Sequence, residues 1–478
     1  MMSRSLLFLA MCAVCLSARL VAAEEPLQDE INPLLPVYDE TVPDAPPPAD
    51  AAKTFSSLFE DASLRLGSTY YGRSRHANNR GKAGAGKSPG EIHVNAFGQS
   101  ATFRSGYAWG LVGFDVAGLT NLGRGRGTSE VLLHKEPGNR DRSSVSLGEA
   151  ALKTRLPLGD LVFEARGGFT PIGVGSLGTS GGLHTHAYRG FETRLRYKDF
   201  SIGYGWADQF RNEWDHTYRD MYNAWHQNRY TDHDGRRISY VHSLGGRYEF
   251  GMDKAGFVDV GVGEGLRYRR NAQAVVSVPI DLGDFGVLTL TGYGIVAKYR
   301  ELFATDRKRA TEYHVSGSAQ LKTGLWTFMT GLGHTRAPDS WEMQFRLTAW
   351  GNSDNRNYIQ TWAQLDDFVW DGQSVVKAGA KYEIGKRICL PGLSVGGSYN
   401  YGWNARNPGL RRKSNGWEIN YHAEYAVQSG RLQGLALGVY AGHLHYSHNK
   451  FNGKQNRNDV KVILSYSKTL ENFLRWRK

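Results

Sequence analysis

Residues 191–206 read FETRLRYKDFSIGYGW, and this stretch decides how the chain is to be read. Phe191, Thr193, Leu195 and Tyr197 fall on one face of an extended strand, with Glu192, Arg194, Arg196 and Lys198 on the other. A turn at Lys198-Asp199 follows, after which Phe200, Ile202, Tyr204 and Trp206 alternate with Ser201, Gly203 and Gly205. Strict period two with one greasy and one ionic face predicts a hairpin whose two sides meet different solvents.

The pattern recurs outward from there. Ile238, Tyr240, His242, Leu244, Tyr248 and Phe250 share a face, and Tyr313, Val315, Gly317, Ala319 and Leu321 oppose His314, Ser316, Ser318, Gln320 and Lys322. Trp341, Met343, Phe345 and Leu347 repeat it, as do Trp417 to Val427 and Val460 to Tyr466. In a soluble sandwich the apolar face would meet a second sheet; in an outer-membrane barrel it meets lipid while the polar face lines water. Successive charges on the polar faces, aromatics at strand ends such as Phe200 and Trp206, and short connections (Lys198-Asp199, Thr323-Gly324) alternating with a long one (207–236) favour lipid. The expectation is an all-β fold, a transmembrane antiparallel β-barrel; the roughly 420 residues from 57 to 478 suffice for about 18 strands.

The ends of the chain differ from this body. Arg4, the apolar run Leu6–Leu16 and the small residues Val21-Ala22-Ala23 read as a signal peptide, with cleavage expected after Ala23. Cys12 and Cys15 raise a lipoprotein reading, against which stand Met11 and Val14, where small residues would be needed. Residues 24–56 hold seven of the fifteen prolines and eight acids against Lys53 alone, which predicts an extended periplasmic segment. Without Arg4 and Arg19 the charge of +12 falls to +10; the acidic segment carries −7, which leaves +17 for residues 57–478. That contrast raises two readings of the segment, a plug for a basic lumen or a solvated spacer. Of three cysteines only Cys389 lies in the body, so neither a disulfide framework nor a cysteine metal site is expected.

From Leu58 to Phe473 the chain resembles the OprD-type substrate-specific porins, and within them the chitoporin-like subgroup. The resemblance is carried by LFEDASLRLGSTYYGRSR (58–75), GLVGFDVAGLTNLG (110–123), LGEAALKTRL (147–156), HAYRGFETRL (186–195), YAVQSGRLQGLALGVY (425–440) and NDVKVILSY (458–466). WADQFRNEWDHTYRDMY (206–222) with ISYVHSLGGRYEF (238–250), and LPGLSVGGSYNYGWNAR (390–406), look like chitoporins in particular. The resemblance implies an integral outer-membrane protein, a single-chain channel for passive uptake of chitooligosaccharides or related small solutes. It further implies a setting of outer-membrane lipid and lipopolysaccharide, and a basic ladder along the water path.

Candidate pore-lining residues follow. Arg194 and Arg196, with Arg189 just before Gly190, form a basic patch able to hand anions along; at a rim they would instead meet solvent or lipid phosphates. This and the +17 body favour a second reading, a channel for small carboxylates or amino acids. Phe210, Trp214, Tyr218, Tyr222 and Trp225 are aromatics in a polar segment, suited to stacking on sugar rings if the segment folds into the barrel; otherwise they pack an outer loop. Gly178-Thr179-Ser180-Gly181-Gly182 matches a nucleophile elbow, but no helical periodicity follows Ser180. His184 and His186 have no evident third metal ligand. Neither an enzyme nor a cofactor is expected, and the spread of basic residues over alternating strands argues against nucleic acid.

Overall fold

The computed structural model describes residues 54–79, 91–126, 141–178, 183–211, 217–222, 237–251, 254–300, 311–338, 358–406, 413–447 and 455–471. A one-turn helix α1 (Ser57–Glu60) leads into β1 (Ser63–Asn79), β2 (Glu91–Arg104), β3 (Val112–Arg126), β4 (Asp141–Leu158), β5 (Leu161–Thr170), β6 (Ala187–Tyr197) and β7 (Phe200–Arg211). Two short strands, β8 (Arg219–Tyr222) and β9 (Arg237–Ile238), pair with each other, and β8 pairs with the end of β7. The wall resumes with β10 (Val241–Phe250), β11 (Gly256–Gly265), β12 (Arg269–Asp281), β13 (Val287–Tyr299), β14 (Thr311–Thr323) and β15 (Trp326–Arg336). It ends with β16 (Ser374–Tyr382), β17 (Leu393–Ala405), β18 (Ser414–Ala426), β19 (Leu435–Tyr446) and β20 (Gln455–Glu471).

Each wall strand pairs antiparallel with the next, β7 pairing directly with β10. The circle closes where β1 meets β20 in register from Ser63↔Glu471 to Asn79↔Gln455. The result is a closed barrel of 18 strands, as the sequence pattern predicts. Closure satisfies the backbone of every wall strand and leaves no edge to aggregate. No helix among the described residues is long and apolar enough to cross a membrane, so the strands do the crossing.

The two faces are inverted relative to a soluble protein. Val145 is 86% exposed, Leu152 75% and Leu332 63%, all on the outer pleat. On the inner pleat Asp115, Glu149, Arg73 and Asp459 are buried. Only a hydrocarbon surround makes the outer surface favourable and only water in the lumen supports so many charges. Exposed or partly exposed aromatics mark both rims of the apolar band. Tyr197, Phe200, Tyr248, Trp326 and Tyr382 ring the short-turn end, and Trp326 and Tyr382 lie 4.5 Å apart. Trp206, Tyr240, Tyr401, Trp403 and Trp417 ring the other. These are the positions where amphipathic rings meet headgroups.

The hairpin at 191–206 forms as read, with Tyr197↔Phe200 closing the turn. The left-handed φ of 51° at Lys198 supplies the tight reversal. The alternating runs at 313–321 and 460–466 lie in strands; that at 417–427 does up to Ala426, and that at 238–250 is interrupted at 239–240 between β9 and β10. The expected strand at Trp341–Leu347, the signal peptide and residues 24–53 of the acidic segment lie outside the described residues.

Candidate functional site

Two segments fold inward from the wall. The first lies between β5 and β6 and is described at 171–178 and 183–186. Its near end lies on β10 and β11, where Gly175 has φ +58°. A Cβ on Gly261 would stand 2.5 Å from Gly175 Cα, and one on Gly245 2.5 Å from its nitrogen, so these three glycines permit backbone-to-wall contact. Side chains of the wall fasten it: Ser176 N donates to Ser243 Oγ at 2.8 Å, and Gln273 Nε2 donates to Gly175 O at 3.0 Å. Beneath it Ile172, Leu177, Tyr188, Ala207, Phe210, Met221, Ile238 and Val241 form an apolar cluster.

The far end of this segment sits half-way round the barrel. Leu183 packs with Tyr71, Val94, Ala96, Tyr440 and Ile463, the inner faces of β1, β2, β19 and β20. His184 shares a hydrogen bond with Asn121 of β3. Burial, reinforced by the nearby Arg211, pushes the His184 pKa down to about 3, so its imidazole stays neutral. The segment is therefore seated on diametrically opposite walls.

The second segment, 358–373 between β15 and β16, follows the wall instead. Ile359 and Tyr358 join Phe257, Val275, Tyr293 and Ile295 in a second cluster. Asn400 Nδ2 donates to Thr361 O at 2.7 Å and Lys377 Nζ to Trp362 O at 2.9 Å. Both oxygens of Glu418 accept backbone amides, from Leu365 at 2.9 Å and Asp366 at 3.0 Å. Burial raises the pKa of the Asp366 carboxyl.

Facing the lumen on β4, β5, β6 and, beyond β7, β10 are Arg155, Arg166, Arg194, Arg196 and Arg247. The register sets carboxylates among them: Glu164 stands opposite both Arg155 and Arg194, and Glu192 opposite Arg166. Every one of the five has an acid within ion-pair reach. Arg155 and Arg196 lie 3.7 and 2.9 Å from Glu164. Arg166 and Arg194 lie 3.1 and 4.0 Å from Glu192. Arg247 lies 2.9 Å from Glu249. The wall is thus a checkerboard of donors and acceptors, not a run of bare positive charge. A cavity at this wall is lined by Arg194, Arg196, Lys198 and Arg247 together with Gly173–Gly175.

The structure brings Arg194 and Arg196 together and separates them from Arg189. That residue stands on the opposite pleat of β6 and makes a two-point pair with Asp208. Phe210 is completely buried in the cluster under the first segment and leaves no face for a solute. Tyr218 stacks on Phe169 at 4.6 Å and donates its hydroxyl to Gly148 O, and burial pushes its pKa up to about 12. Tyr222 is half-buried on β8. Trp214, Trp225 and Ser180 lie outside the described residues. His186 is buried against Tyr188, and no group of metal-ligating side chains occurs among the described residues. Nothing in the sequence of 358–373 sets it apart as an inward fold.

A sealed barrel with a lipid-facing exterior, a charged interior and inward-folded segments is a transmembrane channel of the porin class. The model of the outer membrane porin, OprD family, matches residues 307–470. A chitoporin of Escherichia coli (strain K12) is 24% identical over 419 residues, covering 80% of this chain and 85% of the relative. OccK9 (OpdG) of Pseudomonas aeruginosa superposes with a TM-score of 0.70 at 18% identity, over 87% of this chain and 100% of that one. OpdK of Pseudomonas aeruginosa, solved with vanillate, gives 0.69 at 19% identity, over 86% and 100%. OccAB1 of Acinetobacter baumannii gives 0.70 at 15% identity, over 88% and 99%. The chain is thus similar to OprD-family outer membrane porins, in sequence over residues 307–470 and in fold over the whole barrel, and is a porin-type β-barrel integral to the outer membrane.

Proposed function

We propose that this porin passes chitooligosaccharides by facilitated diffusion, with no bond chemistry and no cofactor, and that Arg194 and Arg196 line the path. One observation carries the reading: each of the five lumen arginines named above lies within ion-pair reach of a carboxylate, the five sharing Glu164, Glu192 and Glu249. An incoming anion would have to compete with Glu164, Glu192 or Glu249 for its partner. A neutral polyhydroxylated chain instead finds donors and acceptors alternating along the wall, as its hydroxyl and acetamido groups require. The likeness to a chitoporin supports the same substrate. In this reading the greasy belt sits among outer-membrane lipids, with lipopolysaccharide around the end opposite the short turns.

The other reading is a channel for small carboxylates or amino acids. The relative solved with vanillate motivates it, as does the positive balance of the cavity at Arg194, Arg196, Lys198 and Arg247. Single-channel recording in planar bilayers separates the two. Chitohexaose produces transient blockades of the potassium chloride current, whereas vanillate and benzoate do not. Blockade by the carboxylates alone would replace the first reading by the second.

A further inference from the structure

Along 358–366 burial alternates. Tyr358, Ile359, Thr361, Ala363 and Leu365 are buried against the wall, whereas Gln360, Trp362, Gln364 and Asp366 are only partly buried. The backbone turns at Gln360-Thr361 and bends at Gln364-Leu365, and the residues left partly exposed between the buried ones are those with surface toward the lumen. Trp362 packs against the cluster around Tyr293 and Ile359 while remaining partly exposed. The backbone on either side of it is fixed from three strands. Gln360 N donates to Ser316 Oγ at 3.2 Å, Asn400 donates to Thr361 O, and Lys377 donates to Trp362 O. Gln360 and Gln364 flank the indole, and each is itself held, by Ser318 Oγ at 2.7 Å and by Asp459 Oδ2 at 3.3 Å. A primary amide offers two donors and an acceptor with two lone pairs, so each keeps hydrogen-bonding capacity toward the lumen.

We propose that Trp362, flanked by Gln360 and Gln364 and clamped by Lys377, Asn400 and Glu418, is a sugar-binding subsite in the pore. One pyranose ring stacks on the indole while hydroxyl or acetamido groups bond the flanking amides. This rests on the chitooligosaccharide reading and places its contact at a residue the arginine wall does not include. A rigid ring supported from behind loses little entropy on stacking, and the amides on either side accept a neutral polar ligand better than an ion.

The test is single-channel recording with chitohexaose on the wild type, Trp362→Ala and Trp362→Phe, with potassium chloride conductance read in the same traces. The expected result is that Trp362→Ala shortens the blocked dwell time about tenfold, the loss of a good aromatic contact. Trp362→Phe falls between, because a smaller ring remains. Equal dwell times in all three overturn the subsite while leaving the chitooligosaccharide reading in place. A wild type never blocked by chitohexaose overturns that reading and the subsite with it. Should Trp362→Ala fail to form the heat-modifiable barrel, Trp362→Leu, bulky but without a ring, decides by the same criterion.

Discussion

Glu418 illustrates how one residue can set the pore. Its two oxygens hold consecutive amides of the inward segment, and the side chain is completely buried. Truncation to alanine leaves two buried N–H groups without an acceptor, at a cost of about 1–3 kcal/mol each. Glu418→Ala should therefore loosen residues 358–373 and raise both conductance and current noise in bilayer recordings, with Glu418→Gln intermediate. An unchanged trace would show that the segment is held elsewhere. His184 acts at the same scale through pH. Its pKa is depressed from 6.5 to about 3, so the folded seat binds fewer protons than the released segment. The stability of that seat is present above pH 6.5 and is lost progressively as pH falls toward 3. Flicker of the open channel should thus increase from pH 7 to pH 4.5, and His184→Asn should flatten the dependence.

At the scale of elements, the strands were legible and the inward segments were not. Period two reports which face of a strand is greasy, and the hairpin at Phe191–Trp206 needs nothing else. The seating of 171–178 depends on Gly175 meeting Gly245 and Gly261, residues some seventy and more positions away whose small size means nothing until the barrel closes. Likewise the aromatics of 207–236 fit either sugar platforms or the packing of an outer loop; Phe210 packs under the first segment, and Tyr218 stacks on Phe169 of β5 and bonds Gly148 O of β4. Composition cannot distinguish a ring that stacks on ligand from one that stacks on its neighbour. Alternation alone puts Arg194 and Arg196 on the ionic face of their strand, but their pairing with Glu192 and Glu164 follows only from the register. Gly261→Leu would drive a side chain into the backbone of Gly175, so the segment must leave its seat. We expect chymotrypsin to cleave the variant near Leu177 or Leu183 in intact barrels, whereas the wild type resists. Equal resistance would mean that the contact does not hold the segment.

For the whole molecule, the single organising fact is that charge lies inside and hydrocarbon outside. An arginine at Leu152, on the outer pleat of β4, should cost about 2–4 kcal/mol if it falls at the bilayer midplane, measured by denaturant titration of folding into liposomes. The most direct test of the inversion is chemical access from water. With Cys389 replaced by alanine, Arg194→Cys and Leu152→Cys are each reconstituted in a bilayer and exposed to a charged, membrane-impermeant methanethiosulfonate reagent. The account predicts rapid modification at position 194 with a stepwise change in current, and none at position 152. Modification at 152 with protection at 194 would contradict it.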